Sequence, residues 1–230
     1  MTIKINFSVD KNKLFYLAKV LNISKSRSVL LKDSKNNLDN VKKMWQRGHK
    51  PVLNYLLNKF SGSENYNIKI VIVPEYFFVG ACEPIEKLVI YGQPPRCKNF
   101  STAIIIHEIT HILLSRITIK RCRIIDEAIC FMAENIVYEK LEKKSIREIW
   151  KMNELDKFHR EALKLSFKFS DYFFVDNSTD IKNIIRLLFE NIRSDILKTV
   201  PQIGLFKNLH KNITFSKKYF NSRAYLYTKQ

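Results

Sequence analysis

Residues 99–117 read Asn-Phe-Ser-Thr-Ala-Ile-Ile-Ile-His-Glu-Ile-Thr-His-Ile-Leu-Leu-Ser-Arg-Ile. Three polar side chains inside this apolar run decide how the rest of the chain is read. With Ser101 or Thr102 as N-cap the segment forms a helix, and residues four apart then stand one above the other on one face. His107 and His111 therefore aim both imidazoles at one point, as two ligands of a zinc ion must. Glu108 follows the first of them at the edge of that face, where its carboxylate can take a proton from metal-bound water. Ala103, Ile104, Ile105, Ile106, Ile109, Ile112, Leu113 and Leu114 make the segment apolar on nearly every side, which predicts a buried helix. Two histidines and a glutamate in such a helix cost several kcal/mol unless they are paired or ligate a metal. The pattern His107-Glu108-x-x-His111 therefore predicts a metal centre.

Upstream of this helix the apolar period changes. Ile68, Ile70, Ile72 and Val73 end at Pro74, Tyr76 to Val79 end at Gly80, and Leu88 to Tyr91 end at Gly92. These are three short β-rich runs between breakers, and they predict a small sheet of two or three strands. An exposed edge strand of such a sheet, beside the metal, would let an extended peptide bind by β-addition. Nearer the N-terminus, residues 2–9 read as a short strand and Asp10 as the cap of an amphipathic helix through Leu14, Leu17, Ala18 and Leu21. The polar stretch 33–42 reads as a loop, followed by a helix interrupted near Gly48 and Pro51. Downstream, a helix is expected over about 125–141, with others over about 145–169 and 180–199 and a possible extended end at 223–227.

A chain of 230 residues with 46% hydrophobic side chains, five Gly and six Pro has the composition of a packed globular protein. Three segments are expected to pack as one domain: a helical part over 1–65, a catalytic core over 66–142 and a helical subdomain over 143–230. No run of 18 apolar residues occurs, and the stretch Met1 to Asp10 lacks the apolar core of a signal peptide, so a cytoplasmic location is expected. The net charge of +18 raises nucleic-acid binding, an acidic peptide or an anionic surface as partners. The basic residues are scattered from Lys4 to Lys229 without a block or a known binding motif, which favours a solvated surface. Cys82, Cys97, Cys122 and Cys130 contain no C-x-x-C pair, so reduced thiols are expected and a cysteine-based zinc site is not.

Two histidines leave a catalytic zinc one protein ligand short. A third histidine in the H-E-x-x-H-x-x-G-x-x-H spacing is excluded, because Leu114 and Ile117 hold the Gly and His positions. Acidic residues of the next helix remain: Glu127 first, with Asp126 or Glu134 as alternatives.

With His107-Glu108-Ile109-Thr110-His111 followed by Asp126-Glu127-Ala128-Ile129-Cys130, the chain resembles the gluzincin metallopeptidases, the thermolysin-like group, over about residues 66–142. Its compactness is similar to that of the minigluzincins. The resemblance implies an α+β fold: a mainly helical zincin-like core, with a small three-stranded sheet preceding the His helix and a glutamate helix. It also implies that His107, His111 and Glu127 hold Zn2+ and that Glu108 is the general base on zinc-bound water in peptide-bond hydrolysis. The family usually adds a Tyr or His that stabilises the oxyanion, for which Tyr138, His159, Tyr172, His210 and Tyr219 are candidates. Asp126-Glu127-Ala128 departs from the family's Asn-Glu-Gly. The competing expectation is a basic, nucleic-acid-binding or regulatory interaction protein whose metal site is structural or vestigial.

Overall fold

The computed structural model describes residues 2–60, 65–119, 122–174 and 180–192. The fold is α+β, with four strands in one mixed sheet ordered β1 (Thr2–Ser8), β2 (Asn65–Ile72), β4 (Leu88–Gly92), β3 (Val79–Glu83). β1 and β2 are parallel, as are β2 and β4, while β3 runs antiparallel to β4 and closes the row. The N-terminal strand adds to the expected sheet, and of the three runs found upstream of the His helix two are strands while Tyr76 to Val79 meets β3 only at Val79, so the sheet has four strands rather than three.

Successive residues of β2 and β4 go to opposite faces. Ile68, Ile70, Ile72, Val89 and Tyr91 belong to one buried cluster, and Val71, Val73, Leu88 and Ile90 to another. The reason is the pleat, which turns alternate side chains to alternate faces. Strands covered on both faces then read as unbroken apolar runs. On the second face lie Leu14, Leu17 and Ala18 of α1 (Lys11–Val20), together with Leu30. Asp10 caps α1 as expected, its side chain accepting from the Lys13 backbone N–H. The first face carries α3 (Phe100–Leu114); α4 (Arg123–Val137) packs on α3, and α6 (Lys157–Phe174) on α4.

Several expected boundaries are corrected. The polar stretch 33–42 is helical, part of a single helix α2 (Arg27–Lys59) that runs through Gly48 and Pro51. Two of its polar residues find buried partners: Ser34 Oγ donates to the Leu30 carbonyl one turn back and Asn37 Nδ2 to the Val73 carbonyl just past β2. The helix bond lost at Pro51 is offset by burial of Val41, Trp45, Val52, Leu53 and Leu56. Gly48 marks a close approach, since a Cβ there would collide with the Leu141 side chain. Glu75–Phe77 is a single 3-10 turn, and β3 starts only at Val79, so that Gly80 lies inside a strand. The expected helix over 145–169 is broken: α5 (Ile146–Ile149) opens on a capping box made by Ser145 and Glu148 and ends at Trp150, whose backbone is extended. α7 (Ile181–Asn191) is the last described element, and the expected extended end at 223–227 lies outside the described residues. Among the described helices none is long and apolar enough to cross a membrane.

Candidate metal centre

α3 is buried at every position except His111. Its start is not capped by Ser101 or Thr102, which lie inside the helix. The N-cap is Asn99, whose side-chain amide and backbone N–H both donate to Glu142 Oε1 at 2.7 Å. The helix is thus fixed by packing of a mainly apolar, almost fully buried segment rather than by a hydroxyl cap.

α4 lies against α3 and brings Glu127 to the two imidazoles. His107 Nε2 is 3.2 Å from Glu127 Oε1, and His111 Nε2 is 3.3 Å from Glu127 Oε2. Zinc bonds of 2.0–2.2 Å to nitrogen and oxygen, arranged tetrahedrally, set ligand atoms about 3.3–3.5 Å apart. The metal-free spacing is therefore already close to that of a bound set. Both histidines lie within ion-pair distance of Glu127, but His111 Nε2 is buried and makes no hydrogen bond. That orphaned nitrogen fits a cation between the three side chains.

Glu134 does not stand in for Glu127. It sits behind His107, with its Oε2 at 3.0 Å from His107 Nδ1. Its Oε1 accepts from Tyr138 Oη at 2.9 Å and from Trp150 Nε1 at 2.6 Å. A carboxylate behind a ligating imidazole keeps the proton on Nδ1 and leaves Nε2 to face the metal. Asp126 is buried at the start of α4 but does not line the cleft beside the histidines. Burial alone would lower the basicity of His107, but its bonds to Glu127 and Glu134 and the nearby charge of Glu108 outweigh it and push the pKa up to about 10. Without a metal, His107 is an imidazolium at neutral pH.

α6 supplies a third histidine. His159 Nε2 is 3.6 Å from Glu127 Oε1, and its Nδ1 is 2.9 Å from Asp156 Oδ2. Asp156 also accepts from the His159 backbone N–H at 2.8 Å, so one carboxylate caps the helix and orients the ring. Burial opposes ionisation of Asp156, yet its bonds to His159 hold the carboxyl below its usual range. Of the five expected oxyanion donors, His159 is the one at this cleft. Tyr138 is bound to Glu134, the Tyr172 side chain is not described, and His210 and Tyr219 lie outside the described residues.

Two features were missed in the sequence. Gly80 of β3 lies against the cleft, and a Cβ there would stand 2.9 Å from Gln93 Nε2 and Ile104 Cγ2 and 3.6 Å from Glu108 Oε1. Cys130, set aside for want of a C-x-x-C pair, lies beside the histidines: buried His107 and Cys130 and half-buried His111 form a group that could hold a metal ion, with donor atoms all within 4.8 Å of one another. The available signal was the spacing of Cys130 three residues after Glu127, which puts both on one helix face. Burial, then the charges of Glu127, Asp126 and Glu108, keeps its thiol well above the ordinary range, and all four cysteines are free. Comparison with known proteins finds no family model, no curated protein and no solved structure that matches this chain.

Proposed function

We propose that the protein is a zinc-dependent peptidase of gluzincin type that hydrolyses peptide bonds in a peptide or protein substrate. The observation that carries this reading is the convergence of His107 and His111 on the two oxygens of Glu127, at 3.2 and 3.3 Å, with Glu108 beside them in a cleft. When bound, Zn2+ supplies a Lewis acid for the scissile carbonyl and brings the pKa of water towards about 7.

The remaining steps fall to the chain. Glu108, 2% exposed, accepts the proton of the attacking water and passes it to the leaving amine, a role worth about 100–10,000-fold in rate. His159, its Nδ1–H held by Asp156, turns Nε2 toward the centre and, in its doubly protonated form, donates from Nε2 to the carbonyl oxygen as that oxygen gains charge, worth about 2.7–4 kcal/mol. β3 ends the sheet, with no strand on its outer side among the described residues. Gly80 keeps that strand close to Glu108, so an extended peptide adding along β3 lies across the carboxylate. Phe131, in edge contact with the His107 ring at a centroid distance of 5.2 Å, walls the other side with apolar surface.

Cleavage of an unstructured protein by wild type and Glu108→Gln tests the assignment. Hydrolysis by wild type alone, with equal zinc in both, is the expected result. Equal cleavage by both proteins would refute the role given to Glu108.

A further inference from the structure

We propose that Cys130 is a fourth protein donor to the ion held by His107 and His111, and that its sulfur makes the centre selective for thiophilic metals. The inference rests on the metal centre proposed above and concerns which ion it takes and how much water it admits. Cys130 is fully buried, and its Sγ shares one spot with the donor nitrogens of both histidines, all within 4.8 Å. Bonds of about 2.3 Å to sulfur and 2.0–2.1 Å to nitrogen, in tetrahedral geometry, set sulfur and nitrogen about 3.6 Å apart. A contraction of at most about 1.2 Å reaches that value. Glu127 precedes Cys130 by about one helical turn on α4, which puts the two residues on one helix face.

On coordination the thiol proton leaves to solvent and sulfur binds the ion as thiolate. Sulfur favours zinc, cadmium and cobalt over manganese or magnesium, which a histidine and carboxylate set alone accepts more readily. Four protein donors complete a tetrahedron, so water enters as a fifth ligand or when the sulfur lets go. Cys130 thereby sets the balance between a closed and an open centre.

The test is the absorption spectrum of full-length protein loaded with Co2+, for wild type, Cys130→Ser and the control Cys82→Ser. Wild type and Cys82→Ser are expected to show a sulfur-to-cobalt charge-transfer band in the near ultraviolet. Cys130→Ser should lose it while keeping the visible bands of tetrahedral cobalt. Its affinity for Cd2+ should fall by about tenfold or more, with that for Mn2+ unchanged. Visible bands without the ultraviolet band, or a band that survives Cys130→Ser, would overturn the assignment of Cys130 and leave the centre standing. No visible bands in wild type would remove the centre and this inference together.

Discussion

Glu134→Gln isolates the carboxylate that sets the chemistry of His107. In the native chain Glu134 accepts three donors, from His107 Nδ1, Tyr138 Oη and Trp150 Nε1. Glutamine keeps the shape but has one oxygen and one amide group. If the oxygen stays with Tyr138 and Trp150, which share Oε1 in the native protein, the amide faces His107 Nδ1. The ring must then accept at Nδ1 and carry its proton on Nε2, the nitrogen that faces Glu127 and the metal. The reverse orientation presents the amide to the indole N–H, which cannot accept. Zinc affinity should fall by about 10–100-fold, or about 1.4–2.7 kcal/mol. The metal-free protein should lose about 1–3 kcal/mol as charge-assisted bonds become neutral ones. Glu134→Ala is the poorer probe, since three orphaned buried donors cost about 1–3 kcal/mol each, comparable with the whole stability of a domain. Competition for zinc against a chromogenic chelator, with a thermal melt beside it, reads both quantities. A folded Glu134→Gln protein whose zinc affinity stays within threefold of wild type would refute this reasoning.

His159→Phe should lower kcat by about 100–1,000-fold with zinc content unchanged; a loss confined to KM would assign His159 to ground-state binding instead. Gly80→Val should lower kcat/KM without loss of zinc, because the added side chain crowds Gln93, Ile104 and Glu108; a variant with unchanged kinetics would place the peptide elsewhere. In metal-free protein the His107 contribution to stability should be fully present below about pH 6.5 and be lost as pH rises through about 10. His107 is bound more tightly as an imidazolium in the folded state, so the contribution is fully present below the unfolded pKa and disappears above the folded one. Denaturant titrations of chelator-treated wild type and His107→Ala across that range check the sign, the difference between them narrowing as pH rises. Zinc should abolish much of this dependence, because the ion displaces the same proton.

The readable parts of this chain are those where period or spacing follows from geometry. Alternation in β2, the Asp10 cap and the four-residue separation of His107 and His111 each have one structural meaning. Glu127 could be reached only by counting ligands, since a carboxylate near a helix start is ordinary. What failed depended on distant partners. Asn37 looks like a loop residue until its bond to Val73 is seen, and Gly48 looks like a breaker until Leu141 is found against it. Glu134, Cys130 and His159 lie 23, 19 and 48 residues from His111 in the sequence numbering. No local pattern ties them to it, because the packing of α4 on the His helix and of α6 on α4 makes the connection.

Metal analysis of protein purified without chelator tests the central claim most directly, comparing wild type with Glu108→Gln, Glu127→Ala and the double variant His107→Ala/His111→Ala. The expected result is a single zinc ion per chain in wild type and in Glu108→Gln, weakened binding in Glu127→Ala, and none in the double variant. Wild-type protein that takes up no zinc when folded and supplied with it, or a double variant that binds as well as wild type, would contradict the account.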